Sequence, residues 1–407
     1  MEIGKGYIDI TDFGAKGDGM TVNTKNINKA IEALDEGDTL IIPEGVFISG
    51  AVFLKSDMTL YLSKGAVLKG SDDLSDFPVV TAQFEGAYKD CYASLINVLG
   101  EGYSNIVITG EGTISGNGAV LGPKELSENS GARGRTIYIE HTDGLTVTDV
   151  TIRESPSWCF HIFDSKNISI EGIKLYNKYR EDGEPIALAN GDGIDPDCCS
   201  NVRIINCFIE SEDDCIAIKS GRDETGRRYG VPSEDILVKG CRFSGGFGVA
   251  CGSEMSGGVR RVRVEDCTFK DTFSIASVKN CRGRGSVIED VIYENCRLIN
   301  NDKTITDSQW FRGALYIDQY YGIPDKEIDL VTPHDIDDGT PEIRNIVFKD
   351  ITLKTVGGNS IYICGLPENH VKDITLENIT ATGKKGIIIN NADDVKIKGL
   401  TVSVLDK

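Results

Sequence analysis

Residues 262–269 read Val-Arg-Val-Glu-Asp-Cys-Thr-Phe, and the same eight-position pattern returns at 291–298 as Val-Ile-Tyr-Glu-Asn-Cys-Arg-Leu. Positions 1, 3, 6 and 8 are apolar, and positions 4 and 5 are mostly polar or glycine. Nine copies can be read, starting at Leu145, Ile168, Val202, Ile236, Val262, Val291, Ile346, Ile374 and Val395, with a looser one at Ile106. Apolar residues at alternate positions mark a strand with one buried face. Two such strands joined by a polar pair form a corner at which the chain turns while both apolar faces stay inward. β-Branched residues dominate, and no 3.6-residue period runs through the repeats, which excludes a helical solenoid.

The copies start 21 to 34 residues apart, except for one step of 55 between Val291 and Ile346. That is the spacing of a solenoid with loops of varying length inserted once per coil. The 55-residue step holds either a large insertion or an extra, irregular coil. The expectation is an all-β fold, a single right-handed parallel β-helix over residues 1–407. One short helix is expected over residues 24–34, where Ile27, Ala30, Ile31 and Leu34 form an apolar stripe. Such a helix would cover the open end of the solenoid.

Composition narrows the partners. The 407 residues carry a formal net charge of −20, and nucleic acid is excluded as a partner because binding phosphates needs clustered Lys and Arg. The acidity is otherwise that of a solvated surface. Apolar runs are strand-sized, far short of the roughly 20 residues of a membrane span. Glu2 to Asp12 lacks the charged and apolar regions of a signal peptide, so a cytoplasmic location is expected if Met1 is the native start. Of the twelve cysteines, Cys207, Cys241, Cys267 and Cys296 occupy repeat position 6, where other copies carry Val, Ile or Leu. They read as buried thiols. No zinc-like Cys/His spacing occurs, and no metal or cofactor is expected.

The scaffold alone does not set a function, since parallel β-helices also serve as purely structural rods. Chemistry points to Asn190-Gly191-Asp192-Gly193-Ile194-Asp195-Pro196-Asp197 and Glu212-Asp213-Asp214-Cys215-Ile216-Ala217-Ile218-Lys219. Asp192 and Asp213 are 21 residues apart, about one coil, and neighbouring parallel strands lie about 4.8 Å apart. Their carboxylates are therefore expected to meet on one face. Other acidic pairs, such as Asp72-Asp73 and Asp337-Asp338, read as solvated turns. Asp213-Asp214 differs because it leads straight into an apolar strand beside another acidic coil. Crowded carboxylates repel one another, so one is held protonated as an acid while another remains an ionised base. Phe247 lies 11 residues after its repeat start, as Asp213 does after its own, and Lys279 lies in the coil after that.

These segments resemble glycoside hydrolase family 28, the polygalacturonases and their relatives. The likeness runs from Ile8-Asp9-Ile10-Thr11 through Phe13-Gly14-Ala15-Lys16-Gly17-Asp18-Gly19 and Ser155-Pro156-Ser157-Trp158 to Gly252-Ser253-Glu254 and Arg282-Gly283-Arg284-Gly285. Its most specific parts are Asp192-Gly193-Ile194-Asp195-Pro196 and Asp213-Asp214-Cys215-Ile216-Ala217-Ile218-Lys219. The resemblance implies that Asp213 is the general acid and that Asp192 and Asp214 activate water, so that the anomeric centre inverts. It implies an oligosaccharide or polysaccharide substrate. Tyr321 matches the family's groove tyrosine, and His161 matches a position where bacterial relatives often carry His. Two departures stand out. The family's Gly-His-Gly is Gly246-Phe247-Gly248 here, and its Arg-Ile-Lys is Ser277-Val278-Lys279.

Lys279 without the arginine is a point charge lacking a bidentate fork. The substrate subsite is therefore expected to differ from that of standard polygalacturonases, with Lys279, Tyr321, His161 and Phe247 as substrate-binding residues. The substrate would be a galacturonide- or rhamnogalacturonan-type oligosaccharide. Insertions at residues 178–189 and between Leu298 and Ile346 favour exo action. Glu254 reads as a supporting residue, and Lys219 as either supporting or catalytic. The alternatives are a non-catalytic carbohydrate-binding β-helix, against which the three retained aspartates speak, and a polysaccharide lyase with Lys279 as base.

Overall fold

The computed structural model describes residues 6–128, 133–302, 304–306 and 308–405. These residues group into two compact units. One comprises the chain up to Phe84 with Tyr88–Asp195 and Asn201–Asp213; the other comprises Glu85–Ala87, Pro196–Ser200 and the chain from Asp214 onward. The fold is the expected right-handed parallel β-helix.

In the first unit, Thr39–Ile42, Met58–Leu62, Tyr103–Gly110, Thr142–Thr148 and Lys166–Glu171 stack as one parallel sheet. Ile106 sits opposite Leu145, and Leu145 opposite Ile168, so the repeat starts coincide coil by coil. A separate ladder runs through Val52–Phe53, Ile96–Val98, Ile137–Glu140 and Phe160–Phe163. In the second unit the register pairs Ile236 with Val262, Val262 with Val291, Val291 with Ile346 and Ile346 with Ile374. Val291 and Ile346 are direct neighbours, so the 55-residue step is one coil with an insertion and not an extra coil. The second unit's other ladder carries Asp214–Ile218, Phe247–Gly252, Ala276–Lys279, Gly313–Asp318, Asn359–Cys364 and Lys385–Asn390.

The corner has a chemical cause. The fifth repeat position is Asp149, Gly172, Asn206, Gly240, Asp266, Asn295, Asp350, Asn378 or Gly399, and each has a φ between 52° and 67°. Only Gly, Asn and Asp enter this left-handed region at low cost. The residue before each repeat start does the same, as at Asn167, Asn201, Asp235, Asn345 and Asp373. Their side chains bond along the solenoid: Asn345 Nδ2 donates to Asp290 (2.6 Å), and Asn378 Nδ2 to Asp350 (2.9 Å).

The position-6 cysteines point inward and are buried, free thiols. Each donates to the carbonyl two residues earlier, as Cys267 does to Glu265 at 3.1 Å. The helix Thr24–Glu32 buries Ile27, Ala30 and Ile31 as its stripe required. It is pinned by Asn28, which bonds Ala51 O and Phe53 N. Two further helices, Gly118–Glu128 and Asp223–Tyr229, lie in insertions.

Candidate active site

Asp192 belongs to the first unit and is 3% exposed. Its carbonyl accepts from Cys159 N (2.9 Å) and from Asn177 Nδ2 (3.3 Å). Asn177 also bonds Ser155 N and Ser157 O, so one buried amide ties the Asp192 segment to the neighbouring coil. The one-coil spacing brings the second acidic segment alongside, where Gly191 O accepts from both Glu212 N (3.2 Å) and Asp213 N (3.4 Å). Glu212 returns the contact, its Oε2 accepting from Gly191 N at 3.3 Å. A Cβ on residue 191 would come within 2.9 Å of Glu212 Cβ, which is why glycine stands there. Desolvation, with the negative charge of Asp213 beside it, pushes the Glu212 carboxyl above its ordinary range.

Asn190, in the left-handed region at φ 61°, receives the buried Arg133 guanidinium on its Oδ1 at 2.8 Å. His161 has no exposed surface; its ring packs against Trp158 (5.0 Å) and Tyr138 (5.2 Å). It stands among the packing residues of that coil.

Asp214 belongs to the second unit. It heads the strand Asp214–Ile218, and the register sets Phe247 opposite it. Counting from repeat starts had placed Phe247 level with Asp213; the coil that carries the acidic pair is one residue longer, which moves the match to Asp214. Lys279, only 2% exposed, directs Nζ to both oxygens of Asp214, at 2.7 and 3.0 Å. The same ammonium lies 5.3 Å from the Phe247 ring centre and 4.9 Å from that of Tyr321, within cation–π range of both. Ser277, where the family pattern has arginine, is buried and shares a 2.8 Å hydrogen bond with Ser274.

The sequence reading missed the rings around this pair. Phe273 stacks on Phe247 at 4.8 Å and meets Phe311 edge-on at 5.1 Å. Trp310 meets Tyr321 at 5.1 Å. For Trp310 and Phe311 the one visible signal was the density of aromatic residues in the inserted loop; Phe273 lies outside it. Lys219 and Glu254, at 6% and 8% exposure, lie just past the C-terminal ends of the strands Asp214–Ile218 and Phe247–Gly252. Burial pushes the Glu254 carboxyl up, against the lowering pull of Lys219.

A buried carboxylate that heads a strand of a parallel β-helix coil and is bound by a lysine suits acid–base chemistry, and the chain is a glycoside hydrolase. Residues 38–402 match glycosyl hydrolases family 28, and the chain belongs to that family. A probable polygalacturonase of Vitis vinifera is 31% identical over 91% of this chain and 73% of its own length. An exo-poly-alpha-D-galacturonosidase of Dickeya chrysanthemi is 26% identical over 98% of this chain and 71% of its own. Among solved structures, an exopolygalacturonase from Thermotoga maritima superposes with a TM-score of 0.80 at 27% identity, covering 98% of this chain and 93% of that one.

Proposed function

We propose that this enzyme is an inverting, exo-acting hydrolase of pectin-derived oligosaccharides, whose substrate subsite departs from that of standard polygalacturonases toward rhamnogalacturonan-type or otherwise decorated units. In this reading Asp213 protonates the departing glycosidic oxygen. Asp192 and Asp214 hold and deprotonate the water that attacks the anomeric carbon from the opposite side.

The observation that carries the altered subsite is the engagement of Lys279 with both oxygens of Asp214, between the rings of Phe247 and Tyr321. The one cation left from the family's Arg-Ile-Lys pattern is thereby directed inward, and its neighbours present aromatic surface where the family places a histidine. Such a surface suits the apolar face of a sugar better than a free uronate carboxylate. Exo action is supported by the exo-acting enzymes from Dickeya chrysanthemi and Thermotoga maritima among the relatives.

The test is incubation with a panel of pectic oligosaccharides, unbranched and rhamnose-containing, with mass spectrometry of the products. Single sugars released with gain of water, fastest from the rhamnose-containing members, are expected. Ordinary turnover of unbranched polygalacturonate would overturn the altered subsite. An unsaturated, ultraviolet-absorbing product would overturn hydrolysis itself.

A further inference from the structure

We infer that Trp310 is a specificity-determining platform on which a sugar of the substrate stacks by its uninterrupted C–H face; this rests on the proposed cleavage of pectic oligosaccharides. Trp310 is 46% exposed, unusual for so large an apolar ring. It is nevertheless built into place. It stands at the tip of a tight turn in which Ser308 and Phe311 bond each other's backbone at 3.2 and 3.1 Å. Phe311, next in the chain, is fully buried and anchors the turn. The buried Tyr316 hydroxyl donates to the Trp310 carbonyl at 3.2 Å, and Gly322 N donates to Gln309 O at 3.4 Å. The indole lies so close to Gly322 that a Cβ there would come within 2.9 Å of the ring, and Gly322 has a φ of 80° besides. An exposed ring fixed from so many sides loses little further freedom on binding, which is what a preorganised contact requires.

Its position supplies the occupant. Asp214 holds Lys279, Lys279 lies over the Tyr321 ring, and Trp310 meets that ring at 5.1 Å, so an unbroken series of contacts leads from a proposed catalytic carboxylate out to the exposed indole. The aromatic surface is thus continuous with the reaction site rather than an isolated patch. A galacto-configured pyranose gathers several ring hydrogens on one face, and that face is the complement of a flat indole. The platform therefore takes a sugar beyond those at the scissile bond, and only substrates long enough to reach it benefit.

The protein has two tryptophans, and the other, Trp158, is 3% exposed and stacked on Phe84, so a change in emission on ligand binding reports mainly on Trp310. The experiment titrates the Asp213→Asn variant with tetragalacturonide and with a rhamnogalacturonan tetrasaccharide, following emission and, in parallel, heat by calorimetry. Kinetics of Trp310→Ala on disaccharides and tetrasaccharides complete it. The expected results are a shift in emission on binding that disappears in Trp310→Phe/Asp213→Asn, and a KM raised about 10-fold by Trp310→Ala, equivalent to ~1.4 kcal/mol, for tetrasaccharides but not disaccharides. Calorimetric binding without a change in emission, or an equal effect of Trp310→Ala on both chain lengths, overturns the platform while leaving the proposed function intact. Absence of heat with every pectic oligosaccharide overturns the proposed function, and the platform with it.

Discussion

Lys279 Nζ lies 2.7 and 3.0 Å from the two carboxylate oxygens of Asp214, and both residues are almost wholly buried. Removing one member of such a pair strands the other as an uncompensated buried charge. Lys279→Met is therefore expected to cost about 3–5 kcal/mol of stability, and adding Asp214→Asn should recover part of the loss. Urea denaturation of both single variants and the double variant measures the coupling. If Lys279 serves Asp214 rather than a uronate, kcat of Lys279→Met falls alike on rhamnogalacturonan and polygalacturonate oligosaccharides. A loss confined to uronate-terminated substrates would assign the lysine to substrate binding instead.

The proposed mechanism, in which Asp213 is the acid and Asp192 and Asp214 activate water, predicts inversion at the anomeric carbon. Proton NMR of the first-formed sugar, recorded before mutarotation, is expected to display the configuration opposite to the substrate's. Retention would rule out the water-activating roles of Asp192 and Asp214.

The left-handed corners carry a stability prediction. Asn378 has a φ of 53° and bonds Asp350 through its amide. A β-branched residue pays roughly 1–2 kcal/mol for that conformation, so Asn378→Val should destabilise by at least that much. Asn378→Gly, which enters the region freely, should come close to wild type. Equal midpoints for the two variants in urea would refute the role given to the corner.

A pH effect on folding is expected from Glu125, buried at 2% exposure in the helix Gly118–Glu128. Desolvation raises its pKa to about 7, against the lowering influence of Gly134 N, Arg133 and Arg135. Below the ordinary glutamate value near 4.5 the group is protonated in both folded and unfolded chains. Between there and about 7 the unfolded chain binds fewer protons, so stability falls as pH rises through that window and levels off above it. Comparing unfolding at pH values on either side, Glu125→Gln should flatten this part of the profile. An unchanged slope would contradict the assignment.

Much of the fold was legible because two periods are written into the chain, alternation within strands and recurrence between coils. The Asp, Asn or Gly at every fifth repeat position was equally visible in the sequence, but its meaning emerges only with the backbone angles. The helix Gly118–Glu128 escaped notice because Gly122 and Pro123 interrupt its pattern. That the segments carrying Asp192 and Asp213 run side by side was legible because their spacing equals one coil, and the two segments meet through the backbone of Gly191. The Lys279–Asp214 pair was not, since the reach of a long side chain across coils follows no period. The offset of Phe247 by one residue has the same origin: repeat starts fix the strands, whereas the length of the arc between strands is free to vary.

The central claim is that Asp213 supplies the proton to the departing sugar, and the kinetics of Asp213→Asn test it most directly. The variant keeps the side chain's shape and should fold and bind oligosaccharide as wild type does. On the best substrate of the pectic panel kcat is expected to fall by at least about 10²-fold, in the range general acids contribute. If Asp213→Asn instead retains more than roughly a tenth of wild-type kcat on a substrate with a poor leaving group, less than about 1.4 kcal/mol of barrier rests on Asp213, and the assignment is wrong.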